Sequence, residues 1–416
     1  SGLLGQGEVD TVTITNYSFT PGTHCIQIYL THIGDNYQTN DTIEDCFLFC
    51  FPAGIQQIGP NGDYANFNDA ITSLINAGIC GPVVFEVASG TYNEQVVIPA
   101  INGLDSVNTI TFRSATGNAE DVIITYAPTA TENYVVKFDS THNIFFEDIT
   151  IYSTCTGNPN TTTPATVMVI ENSNDLSFDG NIFKVKAGNL LNSTNANAIV
   201  LSRSVINVMF TNNIIDSCYI GMKSVTEDLS DNIADISLRN NLFQNFVFRG
   251  VSFRRVTNVD IVKNRFQSGS AANGKALTGI YLTEHYGAVD VQQNVVNLID
   301  NKNGLKQGIH IGAITGSAME PGRLYNNMVS IMGTAAATVK SAGIYIDSSS
   351  YINVYFNTTR VQAGPNAKAS SGAEIATSSE IVVKNNLFSN FSKGYAYYVK
   401  TPQCVSISDF NNYYSN

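Results

Sequence analysis

Six glycines each open a short alternating strand: Gly221 ("GMKSV"), Gly250 ("GVSFR"), Gly279 ("GIYLT"), Gly308 ("GIHIG"), Gly343 ("GIYID") and Gly372 ("GAEIA"). If the residues one and three beyond each glycine point inward (Ile280 and Leu282, Ile309 and Ile311, Ile344 and Ile346), those two and four beyond point outward. The outward residues two beyond are Lys223, Ser252, Tyr281, His310, Tyr345 and Glu374. Those four beyond are Val225, Arg254, Thr283, Gly312, Asp347 and Ala376. Stacked coil on coil, they give a candidate ligand-binding stripe of Lys223, Arg254, Tyr281, His310, Tyr345, Asp347 and Glu374. Its chemistry suits a sugar chain, because aromatic rings offer faces and charged groups hydrogen-bond hydroxyls or uronate carboxylates. A lyase would need a base beside a cation that neutralises a uronate, and Arg254, His310 and Lys223 are the residues that could supply it. A solvated sheet face carries the same residue types without any such role. Glu284 and His285 lie just beyond one of these strands.

The elements that must position this stripe form a repeat. The glycines are 29, 29, 29, 35 and 29 residues apart. A second phrase, apolar alternation broken by a polar residue, recurs from residue 145 onward. Its copies are anchored on Asp148, Asn181, Asn213, Asn241, Asn264, Asn294, Asn327, Asn357, Asn386 and Asn412. The near twins "RNNLFQNF" at 239–246 and "KNNLFSNF" at 384–391 lie 145 residues apart, five periods of 29. Such a period marks a solenoid whose units bury their apolar faces against their neighbours. Period-2 alternation of Val, Ile, Phe and Tyr, punctuated by Asn and Gly, excludes helical repeats and predicts a parallel β-helix of three short strands per coil. A leucine-rich repeat lacks its LxxLxLxxN spacing here. The recurring Asn is expected at a turn, where it tolerates the left-handed backbone region, and its stacked amides are expected to form a ladder. About twelve coils at roughly 4.8 Å each would make a rod on the order of 55–60 Å long.

Composition narrows the function classes. The chain has 416 residues, 43% apolar and 13% charged, as an ordered, core-forming chain does. A net charge of −12 with only 22 Lys and Arg, and no basic run, argues against a nucleic-acid partner. No apolar run approaches the 18 or so residues that span a bilayer. The chain opens "SGLLGQGEVD", without Met or a signal peptide, as a processed product or a fragment would. Four of the seven cysteines (Cys25, Cys46, Cys50 and Cys80) fall in the first 80 residues, which predicts one or two disulfides there. Cys46 and Cys50 share a strand face and are expected to pair with other cysteines. Cys155, Cys218 and Cys404 are expected to be buried as small apolar residues. No metal cluster stands out, and no cofactor is indicated. Scattered Asp and Asn could bind calcium, but neither a GGxGxD nor an EF-hand spacing is present.

Residues 66–78, "NFNDAITSLINAG", read as a short amphipathic helix with Phe67, Ala70, Ile71, Leu74 and Ile75 in one apolar stripe. Asn66 is its N-cap and Gly78 its C′ residue. Placed before the first coils, it would cover the open edge of the solenoid. "GDYANFNDAITSL", "VVFEVASGTYNEQVVIP" and "INGLDSVNTITFRSATGN" resemble the opening of pectin-lyase-like right-handed parallel β-helices, over residues 55–125. The resemblance implies an all-β, right-handed parallel β-helix over 53–416. Residues 1–52, with "PGT" at Pro21–Thr23 and a "GD…ND" hairpin at Gly34–Thr42, look like the last strands of a CARDB-type immunoglobulin-like sandwich. Half a sandwich cannot bury its own faces, so a segment of a larger protein is expected. A sandwich followed by a β-helix is similar to large bacterial surface proteins exported by the type IX route.

Fold does not settle activity. The pectinesterase strands "GTVDFIFG", "QDTL" and "GRPW" are missing, as are the polygalacturonase "NTD", "DD", "GHG" and "RIK" segments. A pectate-lyase "WIDH" segment is excluded because the chain has no Trp. The expectation is a non-catalytic β-helix of a secreted cell-surface protein, an adhesin, stalk or glycan-binding module. Its partners would be a polysaccharide or cell-surface glycan and further domains of the same chain. The alternative is a lyase or hydrolase acting on acidic polysaccharide through the stripe, and a third reading is a trimeric tailspike-like depolymerase.

Overall fold

The computed structural model describes residues 22–29, 42–155, 164–186, 194–226, 228, 230–269, 276–300, 304–334, 339–364 and 367–416. Pro21, the Gly34–Asp41 part of the expected hairpin and His32 lie outside the described residues. Parallel strands wind into a solenoid with three faces. One coil illustrates it: Leu277–Thr283 on the glycine-led face, Tyr286–Gln292 on a second and Val295–Asp300 on a third. Each strand pairs in parallel with its equivalent one coil away. The coil is right-handed, the sense favoured when right-twisted strands feed a parallel crossover. The third face holds twelve strands, from Gly90–Asn93 to Asn412–Ser415. Eleven intervals of about 4.8 Å make it roughly 50–55 Å long. Coiling begins well before residue 145: Gly54–Ile58 and Val83–Val87 already pair in the solenoid.

The core is a stack of like on like. Phe85 lies 4.8 Å from Phe112, Phe178 4.7 Å from Phe210, and Phe243 4.7 Å from Phe266, each pair with nearly parallel rings. Ile280, Leu282, Ile309, Ile311 and Ile346 are fully buried and Ile344 nearly so, as alternation requires.

The Asn ladder forms at the corner between the second and third faces. Asn294 Oδ1 accepts from Asn264 N (2.9 Å) and Asn264 Nδ2 (3.2 Å), and Asn294 Nδ2 donates to Ile261 O (2.7 Å) and Asn327 Oδ1 (3.0 Å). The same scheme links Asn181, Asn213, Asn241, Asn264, Asn294, Asn327, Asn357 and Asn386. Two expectations change. The ladder ends on Asn411, not Asn412, and Asp148 is not a rung: the first amide to meet Asn181 Oδ1 is that of Ile149. The left-handed backbone is also not the rung's. The residue before it takes the positive φ (Asn212, Asn240, Lys263, Gln293, Asn326, Phe356, Asn385, Phe410), leaving the rung amide free to turn inward.

The capping helix spans Phe67–Ala77, with Asn66 Oδ1 accepting from Asp69 N and the Gly78 N–H donating to Leu74 O. Glu94 adds a second cap, its two oxygens accepting from Phe67 N and Asn68 N at 3.0 Å each. Ile75, expected in the apolar stripe, is 43% exposed, because the buried stripe is completed by Phe67, Ala70, Ile71 and Leu74 alone. Gly22–Tyr29 and Thr42–Phe49 form a separate two-stranded antiparallel sheet. There Cys25 sits directly opposite Cys46 and is disulfide-bonded to it. Cys50 is a free thiol, so only Cys46 of that strand pair is bridged. Cys218 and Cys404 are buried, and Cys155 is only half-buried. Cys404 has a structural role: its Sγ accepts from Ser378 N and ends a second, hydroxyl ladder through Ser349 and Ser378.

Candidate glycan-binding face

The two outward columns stand in continuous register. Lys223 pairs with Ser252, Ser252 with Tyr281, Tyr281 with His310, His310 with Tyr345, Tyr345 with Glu374, and Glu374 with Tyr398. Beside them run Arg254, Thr283, Gly312, Asp347 and Ala376. The glycine that opens each strand is a packing necessity. A Cβ on Gly279 would lie 2.5 Å from Val296 Cγ1 and 2.7 Å from the Gly308 carbonyl oxygen.

His310 is the centre of the stripe. Its ring meets Tyr281 and Tyr345 edge to face, with centroids 4.7 and 4.9 Å apart. Its Nδ1 is 3.0 Å from Gln307 Oε1 and its Nε2 is 2.9 Å from Asp347 Oδ1. Both nitrogens therefore hold the imidazole in place, and three rings form a fixed shelf along the axis. Burial, assisted by the nearby Asp347 charge, pushes the Tyr345 phenol above its ordinary range, so the phenol stays a neutral donor.

Toward the C-terminal end the shelf deepens into a groove of about 380 Å³ lined by Lys340, Lys368, Glu374, Tyr395, Tyr398 and Lys400. Lys340 Nζ is 2.8 Å from Glu374 Oε1 and 4.9 Å from the centre of the Tyr345 ring. Tyr395 and Tyr398 stack 5.1 Å apart. Glu374 is buried, covered by the groove walls, although the register places it outward.

The three residues that could have supplied lyase chemistry are not brought together. Lys223 and His310 are three coil steps apart, roughly 14 Å. Arg254 Nε is 2.9 Å from Glu284 Oε1, and Arg255 Nε is 3.0 Å from the other oxygen of that carboxylate. The Arg254 hydrogen bond holds the Glu284 carboxyl below the usual range, so Arg254 is already paired with a carboxylate, although two guanidiniums on one carboxylate leave the cluster net positive. His285 leaves the face altogether: it is buried, with Nε2 3.1 Å from Phe253 O.

Period-2 reading missed Arg249, Gln307, Lys340 and Tyr398. Arg249 and Gln307 occupy the position before the glycine, and both reach a residue three further on, Ser252 and His310 respectively. In an ideal strand such residues face opposite ways. Alternation breaks at the glycine, whose missing Cβ would point into the core at Phe266 (Gly250) or Val329 (Gly308), so the residue before it joins the outward face, and a polar residue immediately before a strand-opening glycine is the signal that was available.

No protein-family model matches this chain, and no curated protein matches it. Among solved structures it is similar to a pectin methylesterase from Aspergillus niger, at 13% identity over 88% of this chain and 87% of that one, with a TM-score of 0.30. It is similar to PfbA, a surface adhesin of Streptococcus pneumoniae, at 16% identity over 76% and 83%, with a TM-score of 0.38. It is similar to the catalytic unit of a GH87 alpha-1,3-glucanase from Streptomyces thermodiastaticus, at 10% identity over 90% and 71%, with a TM-score of 0.49. None of these likenesses carries an activity or a ligand across to this chain.

Proposed function

We propose that this chain is a non-catalytic β-helical segment of a secreted cell-surface protein, and that its glycine-led face binds an extended polysaccharide lying along the solenoid axis. One observation carries the reading: seven consecutive coils present Lys223, Ser252, Tyr281, His310, Tyr345, Glu374 and Tyr398 in unbroken register. The rise of roughly 4.8 Å per coil is close to the length of one pyranose unit, so successive sugars would meet successive side chains. Rings supply stacking surface, while Gln307, Asp347 and the Lys340–Glu374 pair supply hydrogen bonds to hydroxyls. The separation of Lys223 from His310 and the pairing of Arg254 with Glu284 favour binding over turnover.

The Cys25–Cys46 disulfide supports an oxidising, extracellular setting. No helix among the described residues is long and apolar enough to cross a membrane. The antiparallel pair that carries the disulfide supports the reading of residues 1–52 as the end of a CARDB-like sandwich, ahead of a β-helix at 53–416, in a larger chain of the type IX-exported kind. A glycan array with the wild-type chain and a Tyr281→Ala/Tyr345→Ala double variant tests the function. Binding that the double variant loses at least tenfold is expected. Polysaccharide cleavage by wild type that His310→Ala abolishes would replace this reading with a catalytic one.

A further inference from the structure

Where this chain shelters a cation, it places a carboxylate beside it. Lys306 is fully buried with Asp300 3.3 Å away, and the half-buried Lys137 lies 2.8 Å from both Asp139 and Glu171. Lys223 and Arg249 depart from that habit. Both are half-buried on the glycine-led face, and among the described residues no carboxylate lies within 4.0 Å of either. Desolvating a charge without a counter-charge is costly, and burial depresses the pKa of both groups.

The arrangement around them is built, not incidental. The Arg249 guanidinium lies 3.5 Å over the Tyr281 ring and 4.6 Å from that of Phe248, which fixes its plane. Its Nη1 donates to Ser252 Oγ at 2.9 Å, and its Nε is sealed from solvent with no acceptor. Register sets Ser252 beside Lys223 on the adjoining coil. A planar donor fork, a hydroxyl and an ammonium thus meet on one patch, next to the first ring of the aromatic shelf. Two positive charges, a hydroxyl and, among the described residues, no carboxylate within 4.0 Å make a site for an oxyanion.

We propose that Lys223, Arg249 and Ser252 form an oxyanion subsite that takes a carboxylate or sulfate substituent of a glycan. The inference rests on the glycan-binding reading and sharpens it: the polysaccharide is acidic, and its charge enters at the Lys223 end of the stripe. Sulfate and carboxylate share the recognising chemistry, so the test carries an arm for each.

Calorimetry at 0.15 M salt compares three oligosaccharides of equal length: one neutral, one with uronate units and one sulfated. At least one charged oligosaccharide is expected to bind the full chain tenfold or more tightly than the neutral one. Lys223→Met and Arg249→Gln are each expected to erase that preference, bringing the affinity for the charged oligosaccharide down to that for the neutral one. Lys223→Met removes a desolvated charge and keeps the side chain's bulk, so its unliganded melting temperature is expected to rise. Inorganic sulfate serves as an independent probe, expected to raise the wild-type melting temperature and not that of Lys223→Met. Equal affinity for charged and neutral oligosaccharides, a preference that survives Lys223→Met, or a lower melting temperature for that variant overturns the subsite and leaves the glycan reading standing. Sulfate stabilisation confined to wild type with no oligosaccharide bound overturns the glycan reading and leaves the oxyanion site.

Discussion

At the corner between the second and third faces, one coil is nearly interchangeable with the next. Eight buried asparagines from Asn181 to Asn386 repeat the same amide contacts. On the glycine-led face, no two adjacent coils of the outward column share a residue type: Lys223, Ser252, Tyr281, His310, Tyr345, Glu374, Tyr398. Both are stacked polar columns with the same rise. They differ in what the neighbouring coil demands. A buried amide needs an identical amide above and below, since any other side chain leaves donors and acceptors unpaired. An outward side chain answers to solvent or a ligand, so its identity can vary along the axis. In this solenoid, uniformity marks the residues that hold coils together, and variation marks the surface on which recognition can be written.

The comparison breaks first at the ladder if it is wrong. Asn294→Ala removes acceptors for Asn264 N and Nδ2 and strips Ile261 O of its donor. Several buried groups lose partners at once, and a loss of about 3–5 kcal/mol is expected from denaturant unfolding. Asn412→Ala changes an exposed neighbour of the true last rung and is expected to cost within about 0.5 kcal/mol. Equal costs for the two would mean that ladder bonds contribute little beyond packing.

A buried histidine sharpens the contrast through pH. His285 sits in the buried corner after a glycine-led strand, and burial drives its pKa down to about 4. The unfolded chain, with an ordinary histidine pKa near 6.5, binds the proton more readily. Stability is therefore unaffected above about pH 7 and falls as pH drops from about 6.5 toward 4, by on the order of 2–3 kcal/mol at pH 4.5. Urea titrations of wild type and His285→Gln at pH 7 and 4.5 check this: the variant is expected to lose less stability on acidification. A variant as acid-sensitive as wild type would assign the effect to other groups.

How much of this was legible in the sequence follows from the same distinction. The period of 29, the inward Ile and Leu pairs, the capping helix and the Asn rungs were readable, because structure repeats and repetition is visible in one sequence. The last rung was misplaced because "FNN" at 410–412 offers two asparagines, and only backbone conformation tells which turns inward; Phe410 takes the positive φ. Arg249 and Gln307 were missed because strict strand alternation does not hold across a glycine whose missing Cβ faces the core. Lys340 and Tyr398 lie outside the strands opened by those six glycines. Lys340 comes from the turn before one of them, and Tyr398 lies in Tyr395–Val399, where Ala396 stands opposite Gly372 in register and the glycine, Gly394, comes two residues earlier.

A much smaller stability effect than at the ladder rung Asn294 should come from the face itself. Tyr345→Ala removes one ring of the shelf and its contacts with His310 and Lys340. One half-exposed edge-to-face pair is worth about 1 kcal/mol, so unfolding should move by about that amount while affinity for the bound polysaccharide falls about tenfold. The ratio of the two effects is the informative quantity. At the ladder, stability suffers and binding changes only through it; on the face, binding should be lost from a chain that remains folded. If Tyr345→Ala destabilised the solenoid as much as Asn294→Ala, the stripe would be a second structural column whose variation merely reflects tolerance. The shelf of Tyr281, His310 and Tyr345 would then be packing between coils instead of a surface kept open for a ligand.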